Sequence, residues 1–575
     1  MKKIIRNPLF WIFLLALSLR IYKLGEFPVG LHVDEIRVGW NALSILFTGK
    51  DDHLNLLPLY YNSFGDFRPA GIIYLTIPSI LIFGRSVFAI RFSTALFGAL
   101  TVFPIYLLTN ILTEGRSKEK KLIGLLAGLL AAISPWNIEL SRTTNEVVIS
   151  TFFALFSIFF LIKSIKKDEK KYGWWSIVFI AVSYFLYHSI RLLAPIFFVI
   201  ITIFFLKEIG GKIKSIVLIN IFAATLLTFY FSIMGNGLAR FNQTSIFRNI
   251  DVNYELQRVK SEDTPKNIFS LVFDNNAVTY SKAIISEYGK YYSPGFLVGY
   301  DAEPYRFTTP GVGILTYIEM VLVILGIIAI LQKKEGFLPL LLLLASPLPA
   351  ALTAEESPNM SRAFLMSPFL IILAAFGFFY LINYFRNFRK ITLVTLFILL
   401  FANFSYFEWM YFHHSQIHSP YIKNYFSGSP TYRDIGAIEL AQELDLLSKN
   451  YDKIIVTNFP DSIYPWYAFF TNKSPSDFNT TYSQITNERD YKNIIFSEEK
   501  CPSDNDFWRY YDKNILVIDS WECGYDSQIR GGSPVKVLSK INRPDGSEVY
   551  ILLERDWTKD FPEDILNKIK QISKK

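Results

Sequence analysis

The sequence predicts a polytopic α-helical membrane protein that ends in a small α/β domain outside the cytoplasm. Three observations predict it. The 575 residues are 51% hydrophobic and only 19% charged, where soluble chains carry about 25% charged residues. Eleven mostly apolar stretches approach the roughly 20 residues that a spanning helix needs, at 8–24, 88–112, 120–136, 144–163, 172–188, 191–207, 214–235, 313–331, 336–352, 362–384 and 390–412. After Tyr411 the chain turns polar, and helical and strand signals alternate. Lys+Arg 58 against Asp+Glu 50 leaves a net charge of +8, too small an excess to mark a nucleic-acid binder. Two cysteines exclude a disulfide scaffold and a Cys-rich metal site.

Charge sets the sidedness. Lys2, Lys3 and Arg6 precede the first span and put the N-terminus in the cytoplasm. The stretch 8–24 lacks a small-residue cleavage site and carries Arg20 and Lys23 at its end, so it is kept as a span rather than a signal peptide. Short basic connections at 116–121, 163–171, 207–214 and 386–390, with Lys333 and Lys334, mark the cytoplasmic side. The connections 134–142, 188–191, 236–312 and 354–362 then lie outside, as does the first loop, 25–87. An odd number of crossings must separate 25–68 from the basic loop near 116, and 88–112 alone supplies it. The apolar stretch 69–84 is therefore read as a helix at the outer interface. The count is about eleven spans, with twelve or thirteen as alternatives; 69–84 as a crossing would make twelve. Residues 1–412 form a multi-pass module of the cell membrane, and 413–575 an extracytoplasmic domain.

In that domain, 434–448 has apolar residues at helical spacing, and 453–456, 493–496, 514–518, 535–538 and 548–553 read as strands. About 160 residues suffice for one small α/β domain. Cys501 and Cys523 both fall in it. Outside the cell a single pair most simply forms one disulfide, the alternative being two free buried thiols.

Ionisable groups near a membrane are costly unless they pair or function. In the first loop, His32-Val33-Asp34-Glu35 places adjacent carboxylates just before an amphipathic stretch. Asp34 stands where an N-cap would, and an N-cap with a solvated Glu35 is the ordinary reading. Asp66-Phe67-Arg68-Pro69 opens the interfacial helix, where a cation can hold a lipid phosphate or merely snorkel to headgroups. Further outer groups are Glu139, Arg142 and Glu146, then Tyr187, His188 and Arg191, then Glu355, Glu356 and Arg362. Each is weak alone. Together they gather acids and arginines on one side, while the cytoplasmic loops carry mainly lysines.

In this order the residues resemble the C-type integral-membrane glycosyltransferases, above all the dolichyl-phosphate-mannose–protein mannosyltransferase and lipid A aminoarabinose transferase group. The matching elements are Asp34-Glu35, then Thr48-Gly49-Lys50-Asp51 with Pro58, then Arg68-Pro69 through Phe83-Gly84. They continue with Arg91 and its small-residue span, Ser134-Pro135 to Ser141-Arg142, Tyr187-His188-Ser189-Ile190-Arg191 with Pro195, and Pro358 to Arg362 with Pro368. The resemblance covers residues 5–410. Where the family carries His-Pro-Pro or Glu-Lys-Pro-Pro, this chain has Phe67-Arg68-Pro69-Ala70, so the acid shifts to Asp66. No Trp-Trp-Asp tract stands in the outer domain, unlike the oligosaccharyltransferase branch.

The resemblance implies transfer of a sugar from a polyprenyl-phosphate donor to a hydroxyl of a protein, glycan or glycolipid acceptor at the outer face, with inversion. Asp34 is the expected base and Glu35 its neighbour in the catalytic pair. Arg68, Arg191, Arg362 and Arg142 are candidates for the donor phosphate, and His32, Asp66, Glu146 and His188 are further site candidates. No cofactor is required, and a divalent metal, if one takes part, is expected beside Asp34. The partners are the lipid-linked donor, the acceptor and membrane lipids, with no nucleic acid. The rival class is a transporter or lipid-glycan flippase, which would more usually show repeats and midplane charges.

Overall fold

A computed structural model describes residues 7–559 and 563, apart from 64–65, 114–116, 235–238, 263–267, 310, 333–336, 414–435, 460–461, 480–488, 511–512, 525–528, 543–545 and 547. Lys2, Lys3, Arg6, Arg116, Lys333, Lys334, Asp434 and Ile435 lie outside the described residues. Each apolar stretch read from the sequence holds a helix over most of its described residues. Val87–Leu112, Glu146–Lys167, Gly211–Ile233, Met366–Tyr384 and Arg386–His413 are long and apolar enough to cross a membrane. A sixth crossing results if Glu119–Ile133 and Pro135–Ser141, bent by 53°, count as one. Pro8–Ile21, Ser189–Phe204, Tyr317–Leu331 and Phe337–Ala351 are shorter apolar helices. Gly71–Phe83, with 13 residues, rises about 20 Å, short of the roughly 30 Å hydrocarbon core.

The 53° bend has a local cause. Pro135 disfavours helical backbone at Ser134, so the helix stops at Ile133 and leaves carbonyls without partners. Arg20 supplies donors: NH1 reaches Ala132 O at 3.0 Å and NH2 reaches Ala131 O at 3.2 Å. Arg142 does the same for the end of the first helix, donating to Leu19 O and Tyr22 O at 2.7 Å each. Elsewhere small residues set the packing. Tyr317–Leu331 crosses Met366–Tyr384 where a Cβ on Gly326 would lie 1.9 Å from Leu373 O, and one on Gly377 1.9 Å from Leu322 O. Only glycine permits that approach.

The C-terminal domain is a seven-stranded sheet in the order β4-β5-β3-β6-β9-β8-β7. The strands are β3 (Lys453–Thr457), β4 (Arg489–Tyr491), β5 (Ile494–Ser497), β6 (Ile515–Ser520), β7 (Ile529–Arg530), β8 (Ser533–Asn542) and β9 (Glu548–Arg555). β5, β3 and β6 are parallel, and the other pairs are antiparallel. All of β6 is buried, as a central strand covered on both faces requires. The amphipathic helix is Ala437–Leu447, and a disulfide joins Cys501 and Cys523.

The first loop is not a free-standing excursion. Its helix, Val33–Thr48, buries Ile36, Trp40 and Leu43 in one hydrophobic cluster with Trp466, Phe469 and Phe478 of the C-terminal domain. Trp40 Nε1 donates to Asn479 Oδ1 at 3.1 Å, and Asn479 Nδ2 donates to Ser44 Oγ at 2.7 Å. A two-stranded hairpin, β1 (Tyr60–Ser63) and β2 (Asp66–Pro69), completes the loop.

Candidate active site

The start of the Val33–Thr48 helix decides which acid is available for chemistry. The expected N-cap was Asp34; the cap is His32, whose extended backbone precedes the first turn. His32 Nδ1 accepts the Asp34 N–H at 3.2 Å, and Glu35 accepts the His32 N–H at 3.1 Å, a reciprocal capping box. Burial pushes the His32 pKa down, so the imidazole is neutral and Nδ1 keeps the lone pair the cap needs. Asp34 moves to the second helical position, and its carboxylate is not consumed by capping.

Glu35 is committed elsewhere. It is 2% exposed and paired with Arg91, Nε to Oε1 at 2.9 Å and NH2 to Oε2 at 3.1 Å. The Thr144 N–H donates to Oε1 at 3.0 Å. Arg91 NH1 also reaches Pro28 O at 2.8 Å. Glu35 thereby ties the first loop to two spans, and the adjacent acid faces the cleft.

The hairpin delivers the partners of Asp34. Register pairs Tyr61 with Arg68 and Ser63 with Asp66. Arg68 NH2 lies 3.1 Å from Asp34 Oδ2, Arg68 Nε 2.8 Å from Asp66 Oδ2, and Ser63 Oγ 3.3 Å from Asp34 Oδ1. Burial opposes ionisation of Asp34, but the Arg68 guanidinium, the His32 contact and Arg306 together outweigh it and hold the carboxyl well below the usual range. The kcat/KM of the free enzyme should therefore show no acid limb from this group above about pH 4, because kcat/KM reports free-enzyme pKa values. A pH–rate profile with an acid limb near neutrality would oppose that.

The cleft around Asp34 is lined by His32, Glu35, Arg68 and Glu146, by Arg306 of the central loop, and by Glu356 and Arg362 of the last outer loop. It is a half-open cleft with a cavity volume of about 50 Å³. Arg306 NH1 pairs with Glu356 Oε1 at 2.8 Å. Arg362 NH1 donates to Thr353 Oγ1 at 2.9 Å, and NH2 lies 3.2 Å from Glu355 Oε2. Three guanidinium groups thus converge from three segments far apart in sequence.

Of the residues singled out in the sequence, Asp34, Glu35, His32, Arg68, Glu146 and Arg362 come together, with Asp66 one bond behind Arg68. Arg142 does not join them: it is fully buried and spent on carbonyls. Arg191 stands apart, 5% exposed, with NH1 at 3.3 Å from Phe231 O and its guanidinium over the Tyr60 ring. His188 lies beside it, its Nε2 buried without a hydrogen-bond partner among the described residues. Burial, then Arg191, keeps that imidazole neutral. Arg306 escaped the sequence reading. It sits in the long connection 236–312, and no local pattern distinguishes it from a solvated arginine.

A metal fits poorly here. Among the described residues, no three His, Cys, Asp or Glu side chains are grouped to hold an ion. The Asp34 oxygen that would ligate one already faces Arg68.

Residues 68–232 match the family model described as dolichyl-phosphate-mannose-protein mannosyltransferase. Among solved structures, the chain is similar to the oligosaccharyltransferase of Archaeoglobus fulgidus in complex with Zn and sulfate. Identity is 13% and the TM-score 0.52, over 90% of this chain and 68% of that one. The chain has the fold of the C-type membrane glycosyltransferases. ArnT from Cupriavidus metallidurans, bound to undecaprenyl phosphate, aligns with 10% identity and TM-score 0.48 over 95% of this chain and 96% of that one. No curated protein matches in sequence. Family model and fold are both those of glycosyltransferases, and the expectation of an enzyme of that class is borne out. The likeness to an oligosaccharyltransferase is one of fold.

Proposed function

We propose that the protein moves a sugar from a polyprenyl-phosphate donor to a hydroxyl of a protein or cell-envelope glycan or lipid, with inversion, at the outer face of the membrane. The convergence of Asp34 with Arg68, Arg306 and Arg362 in one cleft carries this reading. The family model over 68–232 supports a lipid-phosphate sugar as donor.

The acceptor oxygen attacks the anomeric carbon, and Asp34 takes the hydroxyl proton. The carbon–phosphate oxygen bond breaks, and the lipid phosphate leaves with the electron pair. Fixed cations aimed at that oxygen stabilise the charge as it grows. Arg68 has two tasks in sequence. Without donor it neutralises Asp34; an entering phosphate competes for the same guanidinium. Loosening that pair raises the Asp34 pKa at the moment a proton must be accepted. The Arg306–Glu356 pair bridges two walls of the cleft.

Packing supports this sidedness. The first loop and the outer domain share a hydrophobic cluster, so they lie on one side of the membrane and an even number of crossings separates them. Eleven spans with 69–84 at the interface satisfies this; adding 69–84 as a crossing breaks it.

Purified protein incubated with labelled polyprenyl-phosphate sugars and cell-envelope acceptors should move label from the extractable lipid into protein or glycan, releasing polyprenyl phosphate. Movement of intact donor across vesicles without bond cleavage would sink the reading.

A further inference from the structure

We propose that the outer domain is a positioning module for the Asp34 site, and that it acts through a buried arginine hub, Arg37. The inference rests on the reading of Asp34 as base. Arg37 stands one helical turn after Asp34, on the same face of the Val33–Thr48 helix. It is 3% exposed, and its guanidinium joins three separate parts of the chain. NH1 donates to Asn62 O of the hairpin at 2.9 Å. NH1 also lies 3.4 Å from Asp52 Oδ2 of the first loop. NH2 donates to the Tyr464 hydroxyl of the outer domain. Tyr464 in turn donates to Asp52 Oδ2 at 3.3 Å, closing the ring.

The contact to Asn62 connects this ring to chemistry. Asn62 precedes Ser63, which donates to Asp34, and pairs across the hairpin with Phe67, next to Arg68. The same short hairpin therefore carries two partners of the base, Ser63 and Arg68, and Arg37 holds it by its carbonyl. A two-stranded hairpin is marginal by itself, so its place depends on what grips it. The outer domain is anchored independently at the far end of the interfacial helix, where Arg85 NH1 donates to Lys473 O at 3.1 Å. It is thus held on both sides of the hub and presents Tyr464 at a fixed point.

Tyr464→Phe removes one hydroxyl and keeps the ring packed against Phe478 and Phe496. In purified full-length protein it should lower kcat about tenfold, the scale of one misplaced hydrogen bond near a reacting group, with donor KM and thermal midpoint unchanged. Asp52→Asn should give a similar loss, and the double variant no further loss, because both act through Arg37. In an Asp34→Asn background, Tyr464→Phe should leave the residual rate as it is. Unchanged kcat in Tyr464→Phe, additive losses in the double variant, or a loss that only tracks a fall in thermal midpoint would each overturn the proposal. High residual activity in Asp34→Asn alone would instead remove the base assignment on which it rests.

Discussion

Asp34→Asn should abolish transfer while leaving the protein folded and inserted. A positioned general base contributes about 10²–10⁴ in rate, and an amide of the same shape cannot take the acceptor proton. Stability should hardly change. The carboxylate is neither the helix cap, a place taken by His32, nor part of the Glu35–Arg91 pair. The donor arm separates this from general damage. Asp34 occupies Arg68 NH2 in the donor-free state, so neutralising the acid leaves that guanidinium freer for a phosphate. Donor binding should be retained or tightened as kcat collapses, which titration of purified variant with a polyprenyl phosphate would read. Near-normal turnover would reject Asp34 as base, and lost donor affinity would mean that the acid, rather than Arg68, organises the phosphate end.

The acid pair illustrates how far sequence reaches. Adjacent carboxylates after a span, ahead of an amphipathic stretch, are visible in the order of residues alone. The division of labour between them is not, because it depends on a histidine cap and on Arg91, 56 positions away. The apolar helices were legible for a simple reason: a run of apolar residues is a local property. The strands of the outer domain were legible in the same way, whereas short β4 and β7 at its edges carry too few residues to show a period. Arginines divided differently. Arg68 and Arg362 reach the cleft, but Arg142 has the same apparent setting in sequence and is drawn into the module by unpaired carbonyls at a helix end. Whether an outer arginine meets a ligand or a backbone carbonyl is settled by which helix terminates beside it. The docking of the outer domain on the first loop is a contact between residues more than 400 positions apart, and nothing in either segment announces the other.

Arg91→Ala should unfold or prevent assembly of the module before its activity can be assayed. Breaking a buried ion pair by removing one partner costs about 3–5 kcal/mol, because the other charge is left desolvated. Glu35 would keep the His32 and Thr144 amides and the Thr144 hydroxyl as donors but lose its charge partner, and the carbonyls of Leu24 and Pro28 would lose Arg91 NH1. Arg91→Lys should rescue little, since an ammonium cannot reproduce a planar fork that serves both carboxylate oxygens and these carbonyls at once. Glu35→Gln should be milder than Arg91→Ala, because its amide oxygen still accepts while Arg91 keeps its carbonyl partners. Thermal unfolding of detergent-solubilised protein, followed by loss of monodisperse material, ranks the three variants. The ordering separates two roles for neighbouring acids: loss of Asp34 should show in rate at unchanged stability, and loss of the Glu35–Arg91 pair in stability first. An Arg91→Ala protein that stays folded with reduced kcat would move Glu35 from the scaffold into the chemistry.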